Sequence, residues 1–484
     1  MWMMLLPLAM AQEITDETVD EVAGGDPPEA TSEEVASPPP PGSVLLQNAR
    51  LIDGTGAPPR PADLLIIDGR IAELGEGLDP EGAETRMDLG GAAVTPGLID
   101  SHVHVTFAPG QGLNDWSQET LDDHLQHHLR AYVAAGVTTV LDCAGMWSDV
   151  ERVQGWLDDG LAGPRVLSLG EPPTIAEGYG PAVLPELPVQ NTPEEIAAFM
   201  ASQKAHGAAG VKLLWEDGIV MSIWEMPDES WWEAVAASAA EEGLPMFAHA
   251  MGPEETMGAL ALEPRALLHG LMKGDEAAEA ALAASGVPVV ATLNISASSL
   301  WYWSPERFEE PLLKLLAHPD ELAAVQDPDV RDSSSVAVGQ VATPGVPKWL
   351  ARRLGRKSRY VEMILADRLE VTARMVDAGV PLVVGSDAPG WPLMVDNLPA
   401  YSTIRELELL AQVGLTPAEV LTAATSRPAA LLDLGDEVGV LKVGYAADLV
   451  VHGGDPLADI GAWRELEYVM RAGEIHSPEA WMKD

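Results

Sequence analysis

His102 and His104 lie in the stretch Val94-Thr95-Pro96-Gly97-Leu98-Ile99-Asp100-Ser101-His102-Val103-His104-Val105. It is apolar, β-branched and entered past a Pro-Gly pair, which predicts a buried strand. Side chains two apart on a strand point the same way. The two imidazoles therefore project together, as half of a metal site. A bare His-x-His pair can equally be two polar residues at a strand end, each satisfied by a local hydrogen bond. His249, in Leu244-Pro245-Met246-Phe247-Ala248-His249-Ala250, and His269, in Ala266-Leu267-Leu268-His269-Gly270, also close short apolar runs. Each alone reads as a satisfied core histidine, but together with the first pair they favour metal. Lys212, in Val211-Lys212-Leu213-Leu214-Trp215, is costly to bury as a cation. Desolvation and nearby metal charge would lower its pKa and leave an amine able to take up carbon dioxide. The alternative is a lysine whose stem packs in a wall while its head reaches solvent.

The elements that must position these residues alternate between strand-like and helix-like patterns, which implies parallel βα units. After the first strand come a helix over 121–135 and a second strand over 136–142. A third strand spans 165–170. A helix over 193–206 follows, with Thr192 as its cap and Pro193 in its first turn. The fourth strand spans 210–215, and a helix follows over 229–242. The remaining strands span 244–250, 266–270, 287–293 and 380–387. Eight such strands predict an α/β fold of the (β/α)8 barrel type, whose sites form at the C-terminal ends of the strands. Those ends carry His102, His104, Lys212, His249, His269 and Asp387. Asp387 could also cap the helix that follows it. The two chain ends differ from this middle. Apolar runs over 44–54, 62–75, 439–451 and 468–475 have no helices between them, and Asp68-Gly69 is a hairpin signal.

Val-Thr-Pro-Gly-Leu-Ile-Asp-Ser-His-Val-His, from Val94 to His104, closely resembles the first barrel strand of the amidohydrolase superfamily of metal-dependent hydrolases. The six strand-end residues match that superfamily's binuclear pattern in type and order, and the resemblance runs from about Val44 to Ile475. It implies that His102, His104 and Asp387 bind one metal and that His249 and His269 bind the other. N6-carboxylysine at Lys212 would bridge the two divalent ions. Imidazole and carboxylate ligands suit zinc, with iron, manganese and cobalt as alternatives. The resemblance also implies a small β-sandwich assembled from 44–93 and 438–476 around a barrel over 94–437. Segments near Ser402–Leu410, Gly414–Thr425 and Ala447–Leu457 look like the imidazolonepropionase-like branch, which includes prolidase-like dipeptidases. Imidazolonepropionases proper use one metal and lack the bridging lysine, so Lys212 tilts toward the dipeptidase-like members. The ends of the third and fourth strands, Gly170-Glu171-Pro172-Pro173 and Leu214-Trp215-Glu216-Asp217-Gly218, depart from that branch's glycine-rich turns.

The activity so implied is hydrolysis of an amide bond in a small peptide or N-acyl amino acid. A hydroxide bridging the metals attacks the carbonyl carbon, and Asp387 carries the proton to the leaving nitrogen. A substrate carboxylate would want a cation, for which Lys273 and Arg307 are candidates. Trp301 and Tyr302, after the seventh strand, belong either to the core or to a loop over the pocket. A cyclic amidase, lactonase or deaminase on the same site is the rival within enzymes. A non-catalytic barrel used for assembly is the rival outside them, disfavoured because all six ligand positions are filled.

Other features read as ordinary structure. His124, His127 and His128 fall on the predicted helix. His124 and His128 have the i, i+4 spacing of a zinc pair, but no Glu follows His124 as in His-Glu-x-x-His, so a solvated helix face is expected. Cys143 is the one cysteine. It allows no intramolecular disulfide and reads as a buried thiol. With 28 Lys and Arg against 75 Asp and Glu, the net charge is −47. That argues against nucleic acid or an anionic membrane as partner, since phosphate contacts need clustered cations. The expected partner is a small-molecule substrate, and a homo-oligomer stays open. Met1 to Ala11 is apolar and ends in Ala-x-Ala, resembling a secretory signal, though it is short and lacks basic residues. Export is expected if it functions, and a cytoplasmic protein otherwise. Residues 12–43 are acidic and Pro-rich and predict a disordered tether. No run approaches the roughly 20 apolar residues of a membrane span.

Overall fold

Gly97 divides the first strand-like stretch between two sheets. The computed structural model describes residues 42–80, 83–218, 223–300, 305–334, 347, 358–390 and 392–483. Before Gly97 come β1 (Val44–Leu51), β2 (Arg60–Ile67), β3 (Arg70–Gly75), β4 (Thr85–Asp88) and β5 (Ala93–Pro96). After it come β6 (Leu98–Val103), β7 (Val137–Asp142), β8 (Arg165–Ser168), β9 (Val211–Leu214) and β10 (Met246–His249). Then follow β11 (Ala266–His269), β12 (Val289–Ala291), β13 (Leu382–Val384), β14 (Leu449–His452), β15 (Leu466–Arg471) and β16 (Glu474–His476). β5 pairs with β1 and β14, whereas β6 pairs with β7. A Cβ on Gly97 would stand 2.3 Å from Thr138 Oγ1, so only glycine lets the chain pass so close to β7. The single strand expected over 94–105 is therefore two, and the terminal sheet extends to Pro96 instead of ending at 93.

The terminal sheet has the order β16-β15-β14-β5-β1-β2-β3, with β4 alongside β1. Both chain ends build it. The β2–β3 hairpin turns through Asp68 at φ 50° and Gly69 at φ 73°, the pair of left-handed residues that a two-residue turn of this kind needs. Leu46, Leu64 and Ile66 from the N-terminal part share a core with Leu449, Val451 and Met470. Burying each such side chain contributes roughly 1.5–3 kcal/mol, and neither end supplies enough of them alone. Ser43 belongs to this unit and not to the tether. It is 1% exposed, and its carbonyl accepts from Thr85 N at 3.1 Å. Gly42 N donates to the Glu84 carboxylate. The rest of the expected tether and the signal-like segment, residues 1–41, lie outside the described residues. Beyond β16, the helix Pro478–Trp481 adds to the unit, with Trp481 Nε1 donating to Val469 O at 2.9 Å.

The other eight strands are parallel and run in two arcs, β6-β7-β8 and β13-β12-β11-β10-β9. Backbone hydrogen bonds join both seams. Ala209 N donates to Ser168 O at 2.8 Å, and Asp387 N donates to His102 O at 2.7 Å. Ile99 and Leu141 from one arc share an interior core with Phe247, Leu268, Val290 and Val383 from the other. Alternate residues such as Leu98, Val140, Val289 and Val384 pack outward, in the core shared with the helices. Those helices include Gln118–Ala134, Pro193–Ala205 and Glu229–Glu242. Thr192 and Glu195 close the second of these with reciprocal side-chain-to-backbone bonds. The strands are shorter than the apolar runs suggest. Between β12 and β13 an excursion carries the helices Pro311–Leu316, Pro319–Gln326 and Ser358–Asp377. Among the described residues no helix is long and apolar enough to cross a membrane.

Candidate active site

Five strands deliver six side chains to one place. His104, Lys212, His249, His269 and Asp387 line a cavity of about 280 Å³, with His102 buried directly behind them. Asp387 Oδ1 lies 3.1 Å from His104 Nε2 and 3.3 Å from His102 Nε2, and its Oδ2 lies 3.7 Å from His269 Nδ1. His269 Nε2 is 2.8 Å from His249 Nδ1. His102 is fully buried, yet neither of its ring nitrogens makes a hydrogen bond despite the nearby carboxylate. Leaving such a group unsatisfied costs about 1–3 kcal/mol. Burial, aided by the charge of Lys212, holds the His102 pKa well below the usual histidine range. Burial and the neighbouring His249 do the same to His269. Imidazoles gathered around a carboxylate are a donor set for a divalent transition metal. Ligand atoms of His102, His269 and Asp387 all lie within 4.8 Å of one another. Lys212 is 5% exposed, and among the described residues its ammonium has no hydrogen bond or ion pair. A buried amine without an anion fits one that carries a carboxyl group.

The backbone at the site is strained where it matters. His269 has φ 77° and Asp387 φ 53°, each costing on the order of 1–3 kcal/mol for a residue with a side chain. A web of buried polar groups supports them. Arg368 Nη2 donates to His269 O at 3.1 Å, while its Nη1 donates to Thr292 O at 3.1 Å and Ser296 Oγ at 2.8 Å. Thr292 Oγ1 is 2.9 Å from His269 Nδ1. Asn397 Nδ2 donates to Asp387 O at 2.7 Å. Asp100 accepts from Ser386 N at 3.0 Å, from His102 N at 3.1 Å and from Thr403 Oγ1 at 2.6 Å. Glu406 accepts from Leu293 N at 3.0 Å and Asn294 N at 2.7 Å. Burial pushes the carboxyls of Asp100 and Glu406 up, the latter to about 8 against its two backbone donors. Burial also draws Arg368 down to about 10, opposed by Glu406 and Asp387. Gly385 allows β13 to approach β6, since a Cβ there would lie 2.8 Å from His102 Cβ.

Apart from Ser296 and Arg368, the rest of the cavity wall is largely apolar, with Phe107, Leu184, Leu187, Leu214, Ile295 and Met394. Lys273 and Arg307 do not line it. Lys273 is exposed on the loop after β11, and the guanidinium at the cavity is that of Arg368. Trp301 and Tyr302 lie outside the described residues. Pro172 and Leu214, from the two loops that depart from the branch pattern, do line the cavity. In the second of those loops, buried Glu216 places Oε2 3.4 Å from His249 Nε2. Cys143 is buried and donates to Ser101 O at 3.6 Å, and burial raises its pKa well above the usual thiol value. His124 and His128 are not on a solvated face. They are 1% and 4% exposed and turned toward Glu321, a partner on the helix Pro319–Gln326 that local spacing does not reveal.

A sequence profile described as the Amidohydrolase family matches residues 93–476. The chain is 27% identical over 433 residues to an imidazolonepropionase of Deinococcus deserti, covering 86% of this chain and 89% of that protein. A dihydroorotase of Streptococcus pneumoniae is 35% identical over 117 residues, which is 24% of this chain and 25% of that enzyme. Matches to the first curated relatives thus span a quarter or less of their length. Among solved structures, a Xaa-Pro dipeptidase with methionine bound in its active site is similar at a TM-score of 0.67 and 19% identity. That match covers 90% of this chain and 99% of the dipeptidase.

Proposed function

The chain belongs to the amidohydrolase family, and from that premise we propose that it is a metal-dependent hydrolase cleaving an amide bond in a small peptide or N-acyl amino acid. Membership supports a hydrolase of carbon–nitrogen bonds. The two parallel arcs are then a closed (β/α)8 barrel, and the terminal unit, one eight-stranded sheet, stands in the place of the expected composite sandwich. His102, His104 and Asp387 would hold one divalent ion, with zinc favoured, and His249 and His269 a second. Carboxylated Lys212 would join the two. Bound there, the ions supply an acidified water and a polarised carbonyl. Asp387 accepts the proton released by the attacking water and returns it to the leaving nitrogen. His102, fully buried with neither ring nitrogen hydrogen-bonded among the described residues although Asp387 Oδ1 stands 3.3 Å from Nε2, is the observation that carries the metal reading.

The apolar wall supports an apolar group on one side of the scissile bond. Arg368, whose guanidinium is already engaged by Thr292, Ser296 and His269, positions the site more than it binds a charge. The test is a library of dipeptides and N-acyl amino acids, with cyclic amides and lactones included, run on metal-reconstituted enzyme. Turnover is expected for amides bearing apolar side chains and should vanish on chelation. Full activity in chelator, or turnover confined to lactones, would sink the proposal.

A further inference from the structure

The buried histidine pair outside the cavity lies where the helix Gln118–Ala134 meets the helix Pro319–Gln326. Residues four apart share a helix face, so His124 and His128 stand one turn apart above the same neighbour. His124 Nδ1 and His128 Nε2 are both 2.7 Å from Glu321 Oε1. Glu321 is 2% exposed, and among the described residues its other oxygen has no hydrogen-bond partner. The carboxylate faces two imidazole nitrogens. Ring packing fixes the imidazole of His124, with His318 stacked on it at 3.8 Å between centroids and Trp116 at 4.3 Å. His127 takes no part, its Nε2 bonding to Leu316 O at 3.0 Å.

We propose that His124, His128 and Glu321 form a second metal site, structural in role, for a zinc-class transition dication. Two imidazoles and one carboxylate are a donor set for such an ion. Hydrogen bonding alone leaves the arrangement uneven, with two donors on one carboxylate oxygen and none on the other. The ligand atoms are as closely gathered as those in the cavity, where His249 and His269 stand 2.8 Å apart and His104 and Asp387 3.1 Å. An ion seated here replaces the two ring protons that face Glu321. It ties the β12–β13 excursion to the helix Gln118–Ala134. The site stands independently of the catalytic proposal.

Two full-length proteins test it. In the first, His102→Ala, His249→Ala and Asp387→Ala together dismantle the cavity's ligand set. Elemental analysis after zinc loading should find about one ion per chain, and cobalt loading should give the visible absorption of a tetrahedral centre. Chelation should lower its melting temperature. In the second, Glu321→Gln in an otherwise unchanged chain should bind one ion fewer than wild type. No zinc in the first protein, or an unchanged metal count in the second, overturns the proposal. If either variant fails to fold, the other decides. Wild type holding a single ion that Glu321→Gln removes would keep this site and refute metal binding in the cavity.

Discussion

Asp387 is tied to His102 twice. Its backbone N–H donates to the His102 carbonyl at 2.7 Å, and its Oδ1 stands 3.3 Å from His102 Nε2. The first contact belongs to the seam between the two arcs, and the second belongs to the site. His104 N extends the same seam by donating to Ala388 O at 2.8 Å. Joining the arcs therefore sets the carboxylate against the imidazoles, and the left-handed backbone of Asp387 is part of the cost of that join.

Asp387→Asn separates the two contacts. Asparagine tolerates a positive φ better than most residues, so the seam should hold and the melting temperature should move little. The amide cannot take a proton. Turnover should fall by about 10²–10⁴-fold with most of the metal retained, as steady-state kinetics and elemental analysis would report. Near-normal turnover would remove Asp387 from proton transfer.

Arg368→Lys tests the support beneath His269. A single ammonium cannot span the carbonyls of His269 and Thr292 and the Ser296 hydroxyl together. At least one buried acceptor is left bare, at about 1–3 kcal/mol. Metal affinity should fall about 10–100-fold, the usual effect of losing a group that orients a ligand. Competition with a chelator measures it. Unchanged affinity would reduce Arg368 to a packing role.

The contrast between His269 and Arg368 explains how much the sequence reveals. His102, His104, Lys212, His249 and His269 are legible because each sits in a short apolar run, and strand ends are where this architecture gathers side chains. The order of the eight strands follows from the same alternation. Arg368 sits in the helix Ser358–Asp377 of a long excursion, and nothing local distinguishes it from a surface arginine. Its partners are 72, 76 and 99 residues away. Glu321 is equally remote from His124, 197 residues on, so spacing alone assigns the histidines to solvent. Gly97 carried a signal that was readable, a Pro-Gly pair, but whether the chain turns there or runs straight depends on Thr138. Contacts between distant segments, not local pattern, decide each of these.

Glu406 should leave a signature in the pH dependence of stability. Its carboxyl is pushed up to about 8 by burial, from an ordinary value of 4.5. The folded state then keeps a proton that the unfolded chain releases. The stability this contributes is fully present below the ordinary value, falls as pH rises between the two, and is gone above about 8. The slope is at most about 1.4 kcal/mol per pH unit. Glu406→Gln cannot titrate, so wild-type stability relative to that variant should fall from pH 5 to pH 8 in urea melts. A difference that stays constant across that range would show that the two backbone donors keep Glu406 ionised throughout.

Lys212→Ala is the sharpest test of the cavity. The lysine is buried in β9 beside His102 and His269, and among the described residues no anion pairs with it. If it carries a carboxyl group between the two ions, alanine removes a shared ligand. Metal and activity should then be lost together, while the fold persists because only a side-chain stem has gone from the wall. Formate or acetate can occupy the vacated space, and partial recovery of activity by those acids is expected. Stripped wild-type enzyme should also take up metal more fully when bicarbonate is present, since carbamate and ions stabilise each other. A lysine that only packs predicts the reverse: a lower melting temperature, an unchanged metal count, and no response to bicarbonate or short acids. Two ions per chain with near-normal turnover in the alanine variant would end the bridging role.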